Sequence, residues 1–207
     1  SSGIPIIAID TGVSGADVTS FVATDNYAVA KVQGAIAATL VNDGDTVIYV
    51  TGNQAQSTGQ ERRNGFMEAF SAARPGSKIL EVPTEWNSQQ AQEGVEAVLN
   101  SNSDVKMVVN AWDGGTMGAK AALENLGYSA GDVKLVGFDG ASDAIAAMDE
   151  GWVHADTAQM LYQMGYQGIK AAAAAARGET VSSRIDTGFF LVTPSTSGVY
   201  KKMVGIN

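Results

Sequence analysis

A doubly wound parallel α/β fold is predicted by three features of this sequence. Short β-branched runs recur along its 207 residues, near-continuously apolar, as strands are when helices cover both faces of a sheet. Amphipathic stretches with a 3.6-residue period separate them. Polar or glycine-rich loops stand at the junctions, in the order that βαβ crossovers require.

In chain order, the strand-like runs are Ile4–Ile9, Ser20–Thr24, Thr46–Thr51, Lys78–Val82, Val105–Asn110, Val133–Phe138 and Val153–Thr157. Asp25-Asn26 caps the first helix, whose apolar stripe is Val29, Val32, Ile36 and Leu40, and Asp43-Gly44 returns the chain to a strand. Pro75-Gly76 closes a second helix. Ser88 caps a third, with the stripe Ala91, Val95, Val98 and Leu99. Ala119, Ala122, Leu123 and Leu126 mark another, stopped by Gly127. Ala171–Ala176 reads as a helix interior ending at Arg177-Gly178, because alanine is the strongest helix former.

Composition narrows the function classes. With 45% hydrophobic and 17% charged residues the chain can bury a core. A net charge of −9 repels phosphate backbones, so no nucleic-acid partner is expected, and anionic membrane surfaces are disfavoured. The absence of cysteine excludes a disulfide framework, a thiolate metal site and a cysteine nucleophile. His154, the single histidine, falls inside a strand pattern and argues against a histidine triad or metal cluster. Phosphate-loop, dinucleotide and serine-elbow motifs do not occur. No catalytic residue, metal ligand or cofactor is therefore expected. No apolar run is long enough to span a bilayer, and Ser1-Ser2-Gly3-Ile4-Pro5 carries no export signature.

Ligands of open α/β sheets bind beyond the carboxyl ends of the strands. The loops there contain Asp10, Arg62, Trp86, Trp112, Asp113, Phe138, Asp139 and Gln159, which form the candidate ligand-binding set. Carboxylate and guanidinium groups pair with vicinal hydroxyls, and aromatic faces cover the C–H faces of a sugar ring. A neutral sugar or polyol has both surfaces. Each residue also has a plainer role: Asp10, Asp113 and Asp139 as helix caps, Arg62 as solvated surface, and Trp86, Trp112 and Phe138 as core. Their joint placement at strand ends favours a site. Trp152, beside Gly151, reads as structural.

The segments Ile4-Pro5-Ile6-Ile7-Ala8-Ile9-Asp10, Ala23-Thr24-Asp25-Asn26, Glu61-Arg62 with Gly65-Phe66, Val136-Gly137-Phe138-Asp139-Gly140 and Thr157-Ala158-Gln159 resemble the periplasmic sugar-binding protein family typified by ribose- and galactose/glucose-binding proteins. That family is related to the effector domain of lac-repressor-type regulators. The resemblance implies a type I two-lobed fold, with 25–156 a complete second lobe, 1–24 part of the first, and 157–207 the hinge and return segments. It implies ligand hydrogen bonds from Asp10, Arg62, Asp139 and Gln159, and ring stacking by Trp86. Thr11 stands where ribose binders have arginine and Trp112 where they have asparagine, which implies a pocket for another pentose, a hexose or a polyol.

The function so implied is extracytoplasmic capture of a sugar or polyol between two lobes and delivery to an ABC transporter permease, without catalysis. The alternative is an effector-sensing domain of a regulator. The resemblance also implies a chain entering near the first lobe's fourth strand. A lobe lacking its opening units would leave an uncovered edge, and either disorder of those segments or a homodimer through that face is expected.

Overall fold

Two sheets of unequal size are built from one chain that passes between them three times. The computed structural model describes residues 3–206; Ser1, Ser2 and Asn207, the ends of the expected 1–24 and 157–207 segments, lie outside the described residues. The smaller sheet holds β1 (Ile7–Ile9), β2 (Ser20–Ala23) and β8 (Arg184–Asp186), all parallel, with β2 central. The larger has the spatial order β4 (Lys78–Val82), β3 (Thr46–Val50), β5 (Val105–Asn110), β6 (Lys134–Asp139), β7 (Val153–Gln159) and β9 (Phe189–Val192). Its first five strands are parallel and β9 runs antiparallel to β7.

The helices are α1 (Asn26–Leu40), α2 (Ser57–Ala73), α3 (Ser88–Ser101), α4 (Asp113–Asn125), α5 (Ser142–Asp149), α6 (Leu161–Ala176) and α7 (Ser197–Val204). Over the larger sheet α1 packs on α2 and α3 on α4, while α6 packs on β1 and β2. The seven expected strands all form, some with shifted ends: the first shortens to β1, and the last extends to Gln159. Strands β8 and β9 and helix α7 were not expected from the sequence. Residues 189–204 thereby return to the larger sheet, where the Phe190 and Tyr200 rings lie 5.8 Å apart. The segment after Asp156 is thus divided between the sheets. Pairing β9 on β7 covers an edge that would otherwise expose free backbone groups.

Two local expectations are corrected. The buried face of α1 is Val29, Ala30, Gln33, Gly34, Ala37 and Ala38, rotated from the stripe through Val32, Ile36 and Leu40. The cause is close helix packing. A methyl group at Gly34 would meet the Phe66 carbonyl at 2.8 Å, and one at Gly65 would strike the Tyr27 carbonyl, so small residues take the contact. The cap of α3 is Asn87, whose Oδ1 accepts from the Gln90 amide at 3.0 Å, and Ser88 is the first helical residue. Asp25 caps α1 as expected, accepting from the Ala28 amide at 3.0 Å.

Candidate ligand-binding cleft

The carboxyl ends of both sheets face a cleft of about 300 Å³ lined by Asp10, Thr11, Gln56, Thr58, Arg62, Trp86, Trp112, Asp139 and Gln159. Asp10 and Thr11 follow β1, and the rest follow or end strands of the larger sheet. Thr58 Oγ1 donates to Thr11 Oγ1 at 3.4 Å, a contact between elements of the two sheets. Asp10, Trp86 and Asp139 are the non-glycine residues with positive φ among the described residues, at 71°, 58° and 117°. Such conformations persist where the surroundings impose them, and they concentrate at binding sites. All three lie on this cleft.

Arg62 organises its floor from the second turn of α2. Only 3% exposed, it donates from Nε to Asn26 Oδ1 at 2.9 Å and from Nη1 to the Ala111 carbonyl at 2.7 Å and Asp139 Oδ1 at 2.9 Å. Its guanidinium lies 3.9 Å from the Phe138 ring centroid, a close cation–π contact. Nη2 makes no hydrogen bond among the described residues. Buried ion pairs hold their geometry well because every competing arrangement leaves a charge unpaired.

Asp139 Oδ1 also accepts from Gln159 Nε2 at 2.8 Å. Burial raises the Asp139 carboxyl pKa, and the Arg62 guanidinium and Gln159 amide oppose that rise. The Asp139 side chain keeps 27% exposure, and its second oxygen makes no hydrogen bond among the described residues. Gln159 Oε1 is buried without a partner among them. A buried acceptor without a donor is costly.

Two indoles wall the apolar side. Trp86 and Trp112 meet edge to face, with centroids 5.3 Å apart and planes at 90°. Trp86 Nε1 donates to Gln56 Oε1 at 2.7 Å, which fixes the ring. Gly52 lies directly beneath it, and a methyl group there would collide with the indole.

Of the eight candidates, the structure brings Asp10, Arg62, Trp86, Trp112, Asp139 and Gln159 together. It places Phe138 and Asp113 behind the wall. Phe138 is fully buried under Arg62. Asp113 is 2% exposed and accepts from the Ala141 amide at 2.7 Å. The sequence reading did not select Thr11, Gln56 or Thr58 as ligand residues. Their loops lie at the ends of β1 and β3, the signal that found the others. Trp152 is core, 8% exposed, with the Lys120 ammonium 5.4 Å from its ring.

Two α/β lobes with a polar and aromatic cleft at their strand ends have the form of a ligand-enclosing binding protein. The periplasmic binding protein domain matches residues 1–180, and the chain belongs to that family. It is 30% identical over 191 residues to the ribose import binding protein of Escherichia coli K12, covering 92% of this chain and 64% of that protein. The D-allose-binding periplasmic protein of the same organism is 34% identical over 158 residues, 76% of this chain and 50% of its relative. The chain thus spans half to 64% of the length of these curated relatives.

Solved structures agree in fold. An ABC transporter solute binding protein from Mycobacterium smegmatis, with bound glycerol, matches at a TM-score of 0.86 and 31% identity, over 95% of this chain and 68% of that one. Another from Bacillus halodurans C-125, with bound myo-inositol, matches at 0.89 and 27%, over 97% and 69%. No helix among the described residues is long and apolar enough to cross a membrane.

Proposed function

We propose that the protein binds a neutral sugar or polyol in the cleft between its sheets, outside the cytoplasmic membrane, and delivers it to an ABC transporter permease. The observation that carries this reading is the pairing of unspent hydrogen-bonding groups with two orthogonal indole faces. Asp139 offers an acceptor, its other oxygen held by Gln159 and Arg62, and Arg62 offers a donor, while Trp86 and Trp112 offer apolar planes. Asp10 faces them from the smaller sheet. Hydroxyls on the rim of a ring and C–H groups on its faces satisfy both kinds of surface. The relatives named for ribose and allose, and the neighbours holding glycerol and myo-inositol, support this ligand class.

The division into lobes, with 25–156 as the body of one, is part of the same proposal, extended by β9 and α7. So is self-association through the face where Leu161, Tyr162, Tyr166 and Ile169 of α6 are exposed beside the edge strand β1. Light scattering coupled to gel filtration should give a dimer mass, and a monomer at all concentrations would remove that part.

Calorimetric titration with D-ribose, D-allose, myo-inositol and glycerol tests the binding. At least one should bind, and Asp139→Asn should weaken it by about 10- to 100-fold, as expected for loss of a charged hydrogen bond. Absence of binding to every neutral sugar and polyol tried would refute the reading.

A further inference from the structure

Behind the cleft, two carboxylates meet, and neither forms an ion pair among the described residues. Asp113 opens α4 and Asp156 stands in the middle of β7, with 2% and 0% exposure. Gly137 of β6, paired in register with Asp156, separates them, and a methyl group there would strike a carboxylate oxygen of each. Both Asp156 oxygens are buried and make no hydrogen bond to a donor among the described residues. Asp113 Oδ2 accepts from the Ala141 amide at 2.7 Å and Oδ1 from Thr116 Oγ1 at 3.3 Å.

The groups facing the pair come from four elements. Asp139 approaches from the end of β6, Arg62 from α2 and Tyr200 from α7, and beyond Asp139 stands Asp10 at the end of β1. Arg62, the one cation of this set, is committed to Asn26, Ala111 and Asp139. Tyr200 donates to the Gly140 carbonyl at 2.9 Å, and burial followed by the three aspartates holds its own pKa up at about 12. It is not a proton donor to the pair near neutrality.

We propose that Asp113 and Asp156 share a single proton and act as positioning residues for the cleft, holding the Asp139–Gly140–Ala141 turn so that ligand affinity falls when that proton is lost. The inference rests on the sugar-binding reading of the cleft. The shared proton gives Asp156 a donor besides the Gly140 amide that faces it, and leaves Asp113 free to accept from Ala141. The turn is tightly constrained. Asp139 and Gly140 both have positive φ, and Gly140 is packed against Ala158 and the Tyr200 hydroxyl. Burial raises both carboxyl pKa values, for Asp156 to about 7, and the charge of Asp156 further raises that of Asp113. Above neutrality the second ionisation sets two like charges together beside Asp139, and the turn must move to separate them.

The test uses two measurements over about pH 5.5 to 9. Carboxyl carbon NMR follows the two side chains while the Gly140 and Ala141 amides report the turn. D-allose titration reports affinity. One proton should leave the pair near neutrality, both amides should shift with the same midpoint, and affinity should fall by up to about tenfold per pH unit above it, the limit for one linked proton. Asp156→Asn, whose amide can donate to Asp113, should flatten both profiles, and Asp113→Asn should do the same. Carboxyls that do not titrate in this range, or amides that stay still as they do, would overturn the proposal. Failure of D-allose to bind would count against the sugar reading alone, because the NMR readout needs no ligand.

Discussion

Asp10, Trp86 and Asp139 hold backbone conformations that cost an L-residue roughly 1–2 kcal/mol each, and all three lie on the cleft. Asp10 is exposed, so its strain can be removed with little other damage. Asp10→Gly should leave the melting temperature unchanged or slightly raised while weakening sugar binding at least about tenfold. Equal loss of stability and binding would show that Asp10 supports the loop only. Gly52→Ala tests the opposite wall. The added methyl must displace the Trp86 indole, so affinity should drop while Arg63 and Glu81, paired on the surface at 2.5 Å, remain undisturbed. The candidate site was legible at this scale because strand ends gather polar loops. Phe138 and Asp113 lie behind the cleft wall for a reason also present in the sequence: neighbours in an extended chain point to opposite faces. If Asp139 and Trp112 face the cleft, the residues beside them turn away. Gln56 was hidden because its role depends on Trp86 Nε1, a contact thirty positions away.

The α1–α2 contact is closer than an apolar stripe could reveal. Gly34 and Gly65 bring two backbones together, and Phe66 then stacks on Tyr49 of β3 at 4.4 Å with Phe70 stacked on Phe66 at 5.2 Å. Gly65→Val should cost about 1–3 kcal/mol in urea unfolding, since the Tyr27 carbonyl cannot yield without moving α1. An unchanged midpoint would mean that the helices slide apart freely. Strands covered on both faces were legible as continuous apolar runs, and β3 and β5 are almost wholly buried. By contrast, β8 has three residues, two of them charged, and takes its strand character from pairing with β2 alone. Arg184 shows how local that pairing is, donating to the Thr24 carbonyl at 3.0 Å with its guanidinium 4.3 Å from the Phe21 ring. Nothing within β8 itself encodes that partner.

Across the molecule, protonation couples the interior to stability. A carboxyl whose folded pKa is raised binds its proton more tightly when folded, so its contribution is lost as pH climbs from the unfolded value towards the folded one. For Asp156 that window runs from about 4 to about 7, and Asp113 acts in the same direction. Glu68, Glu96 and Asp149, whose pKa values are lowered first of all by side-chain hydrogen bonds, work the other way, below the ordinary carboxylate range. Glu68 and Asp149 are exposed and Glu96 is half-buried, and all three are weakly coupled to stability. The melting temperature should therefore be higher at about pH 5 than at about pH 8, and Asp156→Asn should reduce the difference. A melting temperature that rises steadily with pH would contradict the buried pair.

The three passages between the sheets set how the lobes can move. They lie at Thr24-Asp25, at Met160 and at Thr187-Gly188, each one or two residues long. A single oxygen, Asp186 Oδ1, accepts from the amides of Asp25 and Gly188 at 3.1 and 3.0 Å and ties two of these connectors together. Mechanically, three short tethers fixed side by side make a strap, stiff in extension and shear and compliant in bending. The lobes can part as covers turn about a spine, and they cannot slide past one another as a drawer does. If the cleft takes the proposed sugar, its path in is an angle and not a distance, and the stiffness that governs it belongs to residues that never touch it.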